Sequence, residues 1–361
     1  MKAIVLEDDK KIIFTEVPFP DNPWGKNGVL VKIRAAGICN SDINRGFHGG
    51  AYHYPLIMGH ELAGEIVALG NKNEKLSNTE NGETYQIGDK VTIFPLIPCG
   101  RCIPCQAGDY AQCLYYDYFG SRRDGGFAEY LWVPTENIVK LPNDNVNFLH
   151  AAMTEPAAVA LHGVKKMCIK PGSTSAVFGG GPIGNMVAQF LRISGCNQVI
   201  VVDIDNKKLE IAKKIGFVTV NPRDVDPVKQ IYDITNGYGT DCTVEAVGSP
   251  LTFLQTIQST GRFGQVLFLG NIKGEFKIDE KDFSNILRKE ITIFGTWNSK
   301  IMPQGKNDWT TALSYICGSF NNKLILKPLI SHTPKLEDGP RIFKKLTRRE
   351  DFFSKIIFTM E

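Results

Sequence analysis

No stretch of the chain has the roughly 20 successive apolar residues that a membrane-spanning helix needs, so no membrane partner is expected. Neither sign of charge is in excess. The 41 Lys and Arg face 38 Asp and Glu, a net charge of +3, and the basic residues are dispersed. A surface so balanced gives no electrostatic reason to hold nucleic acid. Internal repeats and low-complexity tracts are also missing, which leaves ordinary globular domains. A secretory leader is not expected either, because Met1-Lys-Ala-Ile-Val-Leu runs into Glu7-Asp8-Asp9 without a cleavage region. Cys39, Cys168, Cys196, Cys242 and Cys317 stand apart from one another, as suits a reducing compartment. The expected location is cytoplasmic, and 361 residues leave room for about two domains.

The remaining four cysteines crowd together: Cys99, Cys102, Cys105 and Cys113, spaced C-x2-C-x2-C-x7-C. Thiolates on one tight loop can converge tetrahedrally on Zn²⁺, and four sulfurs close its coordination sphere against water. Pro98, Gly100, Pro104 and Gly108 supply the turns. A ferredoxin-type cluster shares the two x2 gaps, but its fourth cysteine follows after x3 and precedes proline, whereas Cys113 precedes Leu114. Two disulfides are the third option, in a chain with no sign of an oxidising compartment. A structural zinc is the expectation.

By texture the chain has three parts. The first holds short β-runs with frequent Gly and Pro: KAIVLE, VLVKIRAAG, LAGEIVALG, KVTIFPLI and FAEYLWV. Strands this short, joined by turns, predict a barrel-like antiparallel fold. The polar stretch Asn71 to Thr84 reads as an exposed loop. From near residue 160, apolar runs (SAVFGG, QVIVVD, CTVEAVG, QVLFLG, ITIFGTW) alternate with helix-like stretches, as in a parallel, doubly wound sheet. The last part, with LKPLISH and KIIFTM, is expected to return to the first lobe. The predicted division is 1–158 with the cysteine lobe at about 95–116, then 159–297, then 298–361.

The middle part carries a second signal. Ser175-Ala-Val-Phe leads into Gly179-Gly-Gly181-Pro182-Ile183-Gly184, followed by a helix reading NMVAQFLRIS. Glycines in a G-x-G-x-x-G turn let the backbone approach a pyrophosphate, and the helix N-terminus faces its charge. The pattern alone is weak, but the next β-run ends on Asp203, 19 residues after Gly184. An acid there accepts both ribose hydroxyls of NAD and repels the 2′-phosphate of NADP, with Asp205 adding to the repulsion. A flavin or nucleoside binder of the same fold is the alternative.

A third constellation is Cys39-Asn-Ser41-Asp42 with Gly59-His60-Glu61-x-x-Gly64. A lone cysteine is usually a small core residue, and a lone histidine a satisfied polar group. Here Glu61 follows His60, and Glu155 stands before Pro156, where the two domains are expected to join. No second histidine follows at the spacing of the zinc-protease helix.

Together these motifs resemble the zinc-dependent medium-chain alcohol and polyol dehydrogenases, in the expected order along essentially the whole chain. The segments Tyr116 to Tyr130, Ala51-Tyr-His-Tyr54-Pro55 and Ile286 to Trp297 look most like the galactitol-1-phosphate 5-dehydrogenases. The resemblance implies a GroES-like β-barrel catalytic domain beside a doubly wound Rossmann domain. It implies NAD⁺ and two Zn²⁺ per chain, the catalytic one bound by Cys39, His60 and Glu155. Glu61 would be an alternate ligand or a partner of the ligands, Asp42 would orient His60, and Ser41 would relay the hydroxyl proton. Zinc would act as a Lewis acid on an alcohol whose hydride passes to the nicotinamide. His48 and His53 lie nearby, but neither has the offset of the family's relay histidine. The implied substrate is a polyol phosphate, galactitol 1-phosphate oxidised to tagatose 6-phosphate, with an unphosphorylated, sorbitol-type polyol as the alternative. Candidate substrate contacts are Arg122, Arg123, Tyr54 and Trp297. A non-catalytic dinucleotide-binding protein of the same fold is the reading from another class.

Several other residues have plainer roles. His162 reads as a helix residue, His332 as surface, Lys344-Lys345 and Arg348-Arg349 as a solvated helix face, and Phe352-Phe353 as core or interface. The apolar run Glu290 to Trp297 reads as an edge strand, which pairs with something or aggregates. In the family it pairs across a two-fold axis, so a homodimer is expected, with a tetramer second.

Overall fold

The structure is a computed structural model and describes residues 1–71, 75–77, 82–142, 146–301, 307–319, 322–348 and 350–360. Two compact units emerge: Met1–Glu155 with Lys300–Glu361, and Pro156–Ser299.

The first unit is organised on the strand Gly28–Gly37. Val29, Val31, Ile33 and Ala35 have no exposure, while Lys32 and Arg34 alternate to half-buried positions, the period-two pattern of a strand with one face on a core. This strand pairs antiparallel with Glu61–Leu69, Tyr130–Pro134 and Lys355–Thr359. Its sheet continues through Lys90–Ile93 and Ile138–Lys140 on one side and Ile330–His332 on the other. Opposing Ile357 to Gly37 carries the chain's last strand back to this lobe. A separate sheet joins Lys2–Asp8, Lys11–Glu16 and Leu56–Ile57. Ile4, Leu6, Val31, Leu62, Phe127, Phe343 and Phe358 belong to one apolar cluster between them.

Two expectations change here. Within the stretch expected as an exposed loop, Lys75–Ser77 pairs antiparallel with Thr84–Gln86. Leu76 stands opposite Tyr85 and both are buried, so apolar contact prevails over the polar composition around them. Residues 72–74 and 78–81 of that stretch lie outside the described residues. His332 is half-buried rather than on the surface, because its strand lies beside Lys355–Thr359 and its ring meets Phe353 at 4.8 Å. Lys344, Lys345 and Arg348 do sit on the helix Gly339–Arg348, with Arg349 outside the described residues.

The second unit is a six-stranded, fully parallel sheet. In chain order its strands are Thr174–Phe178, Gln198–Val202, Val218–Val220, Thr240–Glu245, Thr260–Phe268 and Thr292–Gly295. In space they run third, second, first, fourth, fifth, sixth, with the reversal between the first and fourth. Ala176, Val177, Ile200 and Val201 have no exposure, since connecting helices cover both faces of such a sheet. The third strand leaves little trace in the sequence, because three residues carry little pattern. The helix after the first strand spans Pro182–Ile193 and so starts ahead of NMVAQFLRIS. Proline fits at its first position, where the backbone N–H would have no partner in the helix. His162 is half-buried on the helix Thr154–Val164, as expected. Among the described residues no helix is long and apolar enough to cross a membrane.

Candidate metal centres and dinucleotide loop

The cysteine lobe follows the strand Leu96–Ile97, which pairs with Asp117–Tyr118 and so closes the loop at its base. Cys102 and Cys105 begin and line a single helical turn, Ile103–Gln106, while Cys113 ends a 3-10 turn at Tyr110–Gln112. The sulfurs converge: Cys102–Cys105 is 3.4 Å, Cys102–Cys113 is 3.8 Å and Cys99–Cys105 is 4.0 Å. A tetrahedron with zinc–sulfur bonds of about 2.3 Å has edges of about 3.8 Å, so the four thiols fit zinc as they stand. Disulfides are excluded, since all nine cysteines are free thiols. The backbone N–H of Arg101 pulls the Cys99 thiol down to about 6, and burial pushes Cys105 up to about 12. A divalent cation at this centre would hold every sulfur as thiolate.

The second centre is assembled from three elements. Cys39 caps the helix Asn40–Phe47, His60 and Glu61 open the long strand Glu61–Leu69, and Glu155 lies in the first turn of Thr154–Val164. The donor atoms of Cys39, His60 and Glu61 lie within 4.8 Å of one another. Glu155 is not in that trio, although it is buried and close enough to feel His60 and Glu61. Asp42 is wholly buried: its Oδ2 accepts from the Cys39 N–H at 2.9 Å and its Oδ1 from Arg45 at 3.2 Å. His60 Nδ1 sits 3.3 Å from Asp42 Oδ1, at ion-pair distance but too far off line for a hydrogen bond. A carboxylate beside one ring nitrogen is the usual way a metal-binding imidazole is oriented.

The charges at this centre are tightly coupled. Burial opposes ionisation of Asp42, but His60, Arg45 and the Cys39 N–H outweigh it and hold the carboxyl below its usual range. Burial likewise opposes protonation of His60, yet Asp42 and Cys39 hold it well above the usual imidazole value. Glu155 is pushed up to about 7, first by burial and then by Glu61. The half-buried Tyr118 is raised by burial and by Glu155, and its ring meets His60 edge-on at 5.8 Å. Ser41 Oγ accepts from Arg45 at 3.2 Å, which leaves its own hydrogen free to donate. His60 Nδ1 is buried beside Asp42 Oδ1, and Glu61 Oε2 is buried against the ammonium of Lys355, so the charged atoms of both face a partner of opposite charge.

In the second unit Gly179 has φ +115°, and a Cβ on Gly184 would lie 1.8 Å from the Gly179 carbonyl oxygen. Only glycine permits that closure of helix on strand. Gly181 caps the helix, with Pro182, Ile183 and Gly184 in its first turn. Asp203 Oδ2 accepts from the Gly180 N–H at 2.8 Å and Oδ1 from Asp205 N–H at 2.9 Å, so the acid is tied to the glycine turn. Lys208 Nζ stands 3.6 Å from the same carboxylate.

The substrate candidates part company. Arg123 is paired with Asp117 at 2.6 Å and stacked on Trp24 at 4.7 Å. Arg122 is held between the rings of Tyr52 and Tyr116, at 4.6 and 4.0 Å. Tyr116 meets Tyr118 edge-on at 6.2 Å, so Arg122 stands two aromatic rings from His60. Tyr54 is 38% exposed, and Trp297, in the other unit, is 52% exposed. His53 bonds the backbone oxygens of Pro55 and Arg122, which fits no relay role.

Comparison with known proteins agrees with both units. Residues 25–143 match the alcohol dehydrogenase GroES-like domain, and residues 182–316 match the zinc-binding dehydrogenase domain. Galactitol 1-phosphate 5-dehydrogenase of Escherichia coli K12 is 32% identical over 349 residues, 96% of this chain and 97% of that protein. The chain belongs to the zinc-type medium-chain dehydrogenases.

The crystal structure of galactitol-1-phosphate dehydrogenase from Escherichia coli matches this dehydrogenase with a TM-score of 0.89 at 31% identity, over 100% of both chains. Sorbitol dehydrogenase of Bacillus subtilis is 33% identical over 276 residues, 75% of each protein. A zinc-binding dehydrogenase of Sinorhizobium meliloti, solved with NADP, matches with a TM-score of 0.86 at 28% identity over 99% of each chain. The dehydrogenase is therefore an enzyme with a GroES-like lobe and a Rossmann-like unit, and the non-catalytic reading falls away. Sequence reasoning missed four residues around its centres: Lys355, Arg45, Tyr118 and Lys208. Lys355 is the least expected, being buried, ion-paired to Glu61 and donating to the Ile38 carbonyl at 3.0 Å. Burial opposes its charge, but Glu61 and Cys39 outweigh it and raise its pKa above the usual lysine value.

Proposed function

We propose that this dehydrogenase oxidises a secondary alcohol of a polyol phosphate with NAD⁺, taking galactitol 1-phosphate to tagatose 6-phosphate. The observation that carries the phosphate is Arg122. Its guanidinium is fixed by two tyrosines rather than by a carboxylate, two rings from His60, whereas Arg123 is neutralised by Asp117. A planar, stacked guanidinium is suited to a phosphate dianion. Similarity to the Escherichia coli galactitol 1-phosphate enzyme supports the same substrate class.

The catalytic zinc is assigned to Cys39, His60 and the Glu61–Glu155 pair, of which Glu61 stands closer to the other two donors. The sulfur, nitrogen and oxygen donors suit zinc, whose Lewis acidity lowers the pKa of an alcohol while NAD⁺ takes the hydride. Asp42 orients His60, and Lys355 holds Glu61, so the two carboxylates do not compete on equal terms. Ser41, fixed by Arg45, is placed to pass the hydroxyl proton outward. Cys99, Cys102, Cys105 and Cys113 hold the structural zinc. In the other unit, Asp203 reads the ribose. Lys208, drawn to that carboxylate, is less available to a 2′-phosphate, which favours NAD over NADP. A cytoplasmic homodimer is part of this reading.

The test is kcat/KM for galactitol 1-phosphate, galactitol, sorbitol and xylitol, with NAD⁺ and NADP⁺. A phosphate-reading site favours the phosphorylated substrate by orders of magnitude, because its cationic group is otherwise left unpaired. Arg122→Ala should remove most of that preference and Arg123→Ala little of it. Equal or better turnover of an unphosphorylated polyol would make the enzyme a sorbitol-type dehydrogenase.

A further inference from the structure

Glu245 ends the fourth strand of the parallel sheet, beside the point where the strand order reverses. Its side chain has no exposure. Oε1 accepts from the N–H of Val247 at 2.9 Å, the N–H of Gly248 at 2.9 Å and the hydroxyl of Thr252 at 2.6 Å, and Oε2 lies 3.2 Å from the same Gly248 N–H. Every partner is a donor, the pattern of an ionised carboxylate. Among the described residues no lysine or arginine pairs with it, so its charge is met only by dipoles, among them those at the start of the helix Pro250–Ser259.

Glu245 and the residue after it tie three strand ends together. The Glu245 backbone oxygen accepts from the N–H groups of Leu269 and Gly270, each at 3.0 Å. A Cβ on Gly270 would lie 2.3 Å from Oε2, so the next turn closes directly on the carboxylate. The following residue, Ala246, donates to the Phe178 carbonyl at 2.8 Å, and Gly179 of the dinucleotide turn approaches the Ala246 oxygen so closely that a Cβ there would stand 3.0 Å away. Glu245 is thus built into the wall at the carboxyl ends of the strands.

A dinucleotide lies across the reversal point of such a sheet. With Asp203 marking the adenosine half at the second strand, the nicotinamide half falls over the fourth to sixth. The nicotinamide ring is cationic when oxidised and neutral when reduced. An unneutralised negative charge in the wall below it stabilises the oxidised ring alone. We infer that Glu245 sets the preference of this enzyme for NAD⁺ over NADH through its buried charge, a role separate from its shaping of the turn. The inference rests on the reading of NAD as cofactor.

The experiment measures Kd for NAD⁺, NADH and ADP-ribose by calorimetry on the zinc-loaded native chain, Glu245→Gln and Thr252→Ala. Glu245→Gln keeps the shape and an acceptor oxygen but removes the charge. Its ratio of the NADH to the NAD⁺ constant should fall about fivefold, the size expected of one charge about 10 Å away in a medium between protein and water. ADP-ribose, which has no nicotinamide, should change by less than about twofold on the same argument. Thr252→Ala removes one donor and leaves the charge less compensated, so its ratio should move the other way. If all three ligands weaken alike in Glu245→Gln, the residue is structural and the inference is overturned. Should that variant not fold, an unchanged ratio in Thr252→Ala overturns it equally. Parallel titrations with NADP⁺ and NADPH separate the two readings. A native chain that prefers them ends the NAD assignment, while their own ratio still decides Glu245.

Discussion

Cys39 and Lys355 show how unevenly single residues announce themselves. Cys39 was legible because Ser41, Asp42, His60 and Glu61 follow in a recognisable order, and Asp42 indeed accepts the Cys39 N–H and faces His60. Lys355 was not, because a lysine heading the run KIIFTM reads as the solvated end of a strand. Only the pairing of Lys355–Thr359 with Gly28–Gly37 carries its ammonium in to Glu61, and that contact spans nearly the whole chain. Replacing Cys39 or His60 by Ala should remove one zinc and lower turnover about a thousandfold or more, since the lost Lewis acid supplies several kcal/mol. Metal analysis and kinetics check this together, and a fully active Cys39→Ala enzyme would end the assignment. Glu61→Gln and Glu155→Gln, compared for zinc content, decide which carboxylate completes the site. At the ribose, Asp203→Ala should weaken NAD⁺ by about 2–4 kcal/mol at most and relax discrimination against NADP⁺. Native preference for NADP⁺ would contradict that role.

Elements with a strong period were readable, and short ones were not. Every residue of Gln198–Val202 is apolar except the first, so the strand is evident, whereas Val218–Val220 offers only three residues of pattern. The pairing of Lys75–Ser77 with Thr84–Gln86 was masked by polar neighbours, and Leu76 opposite Tyr85 was its only signal. The cysteine lobe is the opposite case, with one helical turn and one 3-10 turn between its cysteines and a core made largely of their side chains. An element so poor in apolar packing depends on its metal for folding energy. Cys102→Ser should therefore lower thermal stability and expose the segment Cys99–Cys113 to proteolysis, while Cys39→Ala leaves melting nearly unchanged. Equal melting of the two variants would contradict the division into a structural and a catalytic site.

For the whole molecule, the two zincs make stoichiometry a direct check, because the readings above require about two per chain and loss of only one in His60→Ala. The remaining question at this scale is how the parallel sheet ends. Its sixth strand, Thr292–Gly295, pairs on one side with Thr260–Phe268 among the described residues, and Ile293 is 40% exposed. An open edge carrying an apolar side chain templates further pairing unless it is covered, and a second copy of the same edge covers it with self-complementary hydrogen bonds. Nearby exposed apolar residues on the helix Glu280–Lys289, Phe283 and Leu287, are further surface that solvent alone disfavours. The expected assembly is thus a two-fold dimer through this strand. Sedimentation equilibrium at micromolar concentration should give twice the chain mass of 40.0 kDa. Ile293→Lys places like charges near the axis and should shift the species to monomer with both zincs retained. A native chain that sediments as a monomer, or an Ile293→Lys variant that remains dimeric, would place the contact elsewhere.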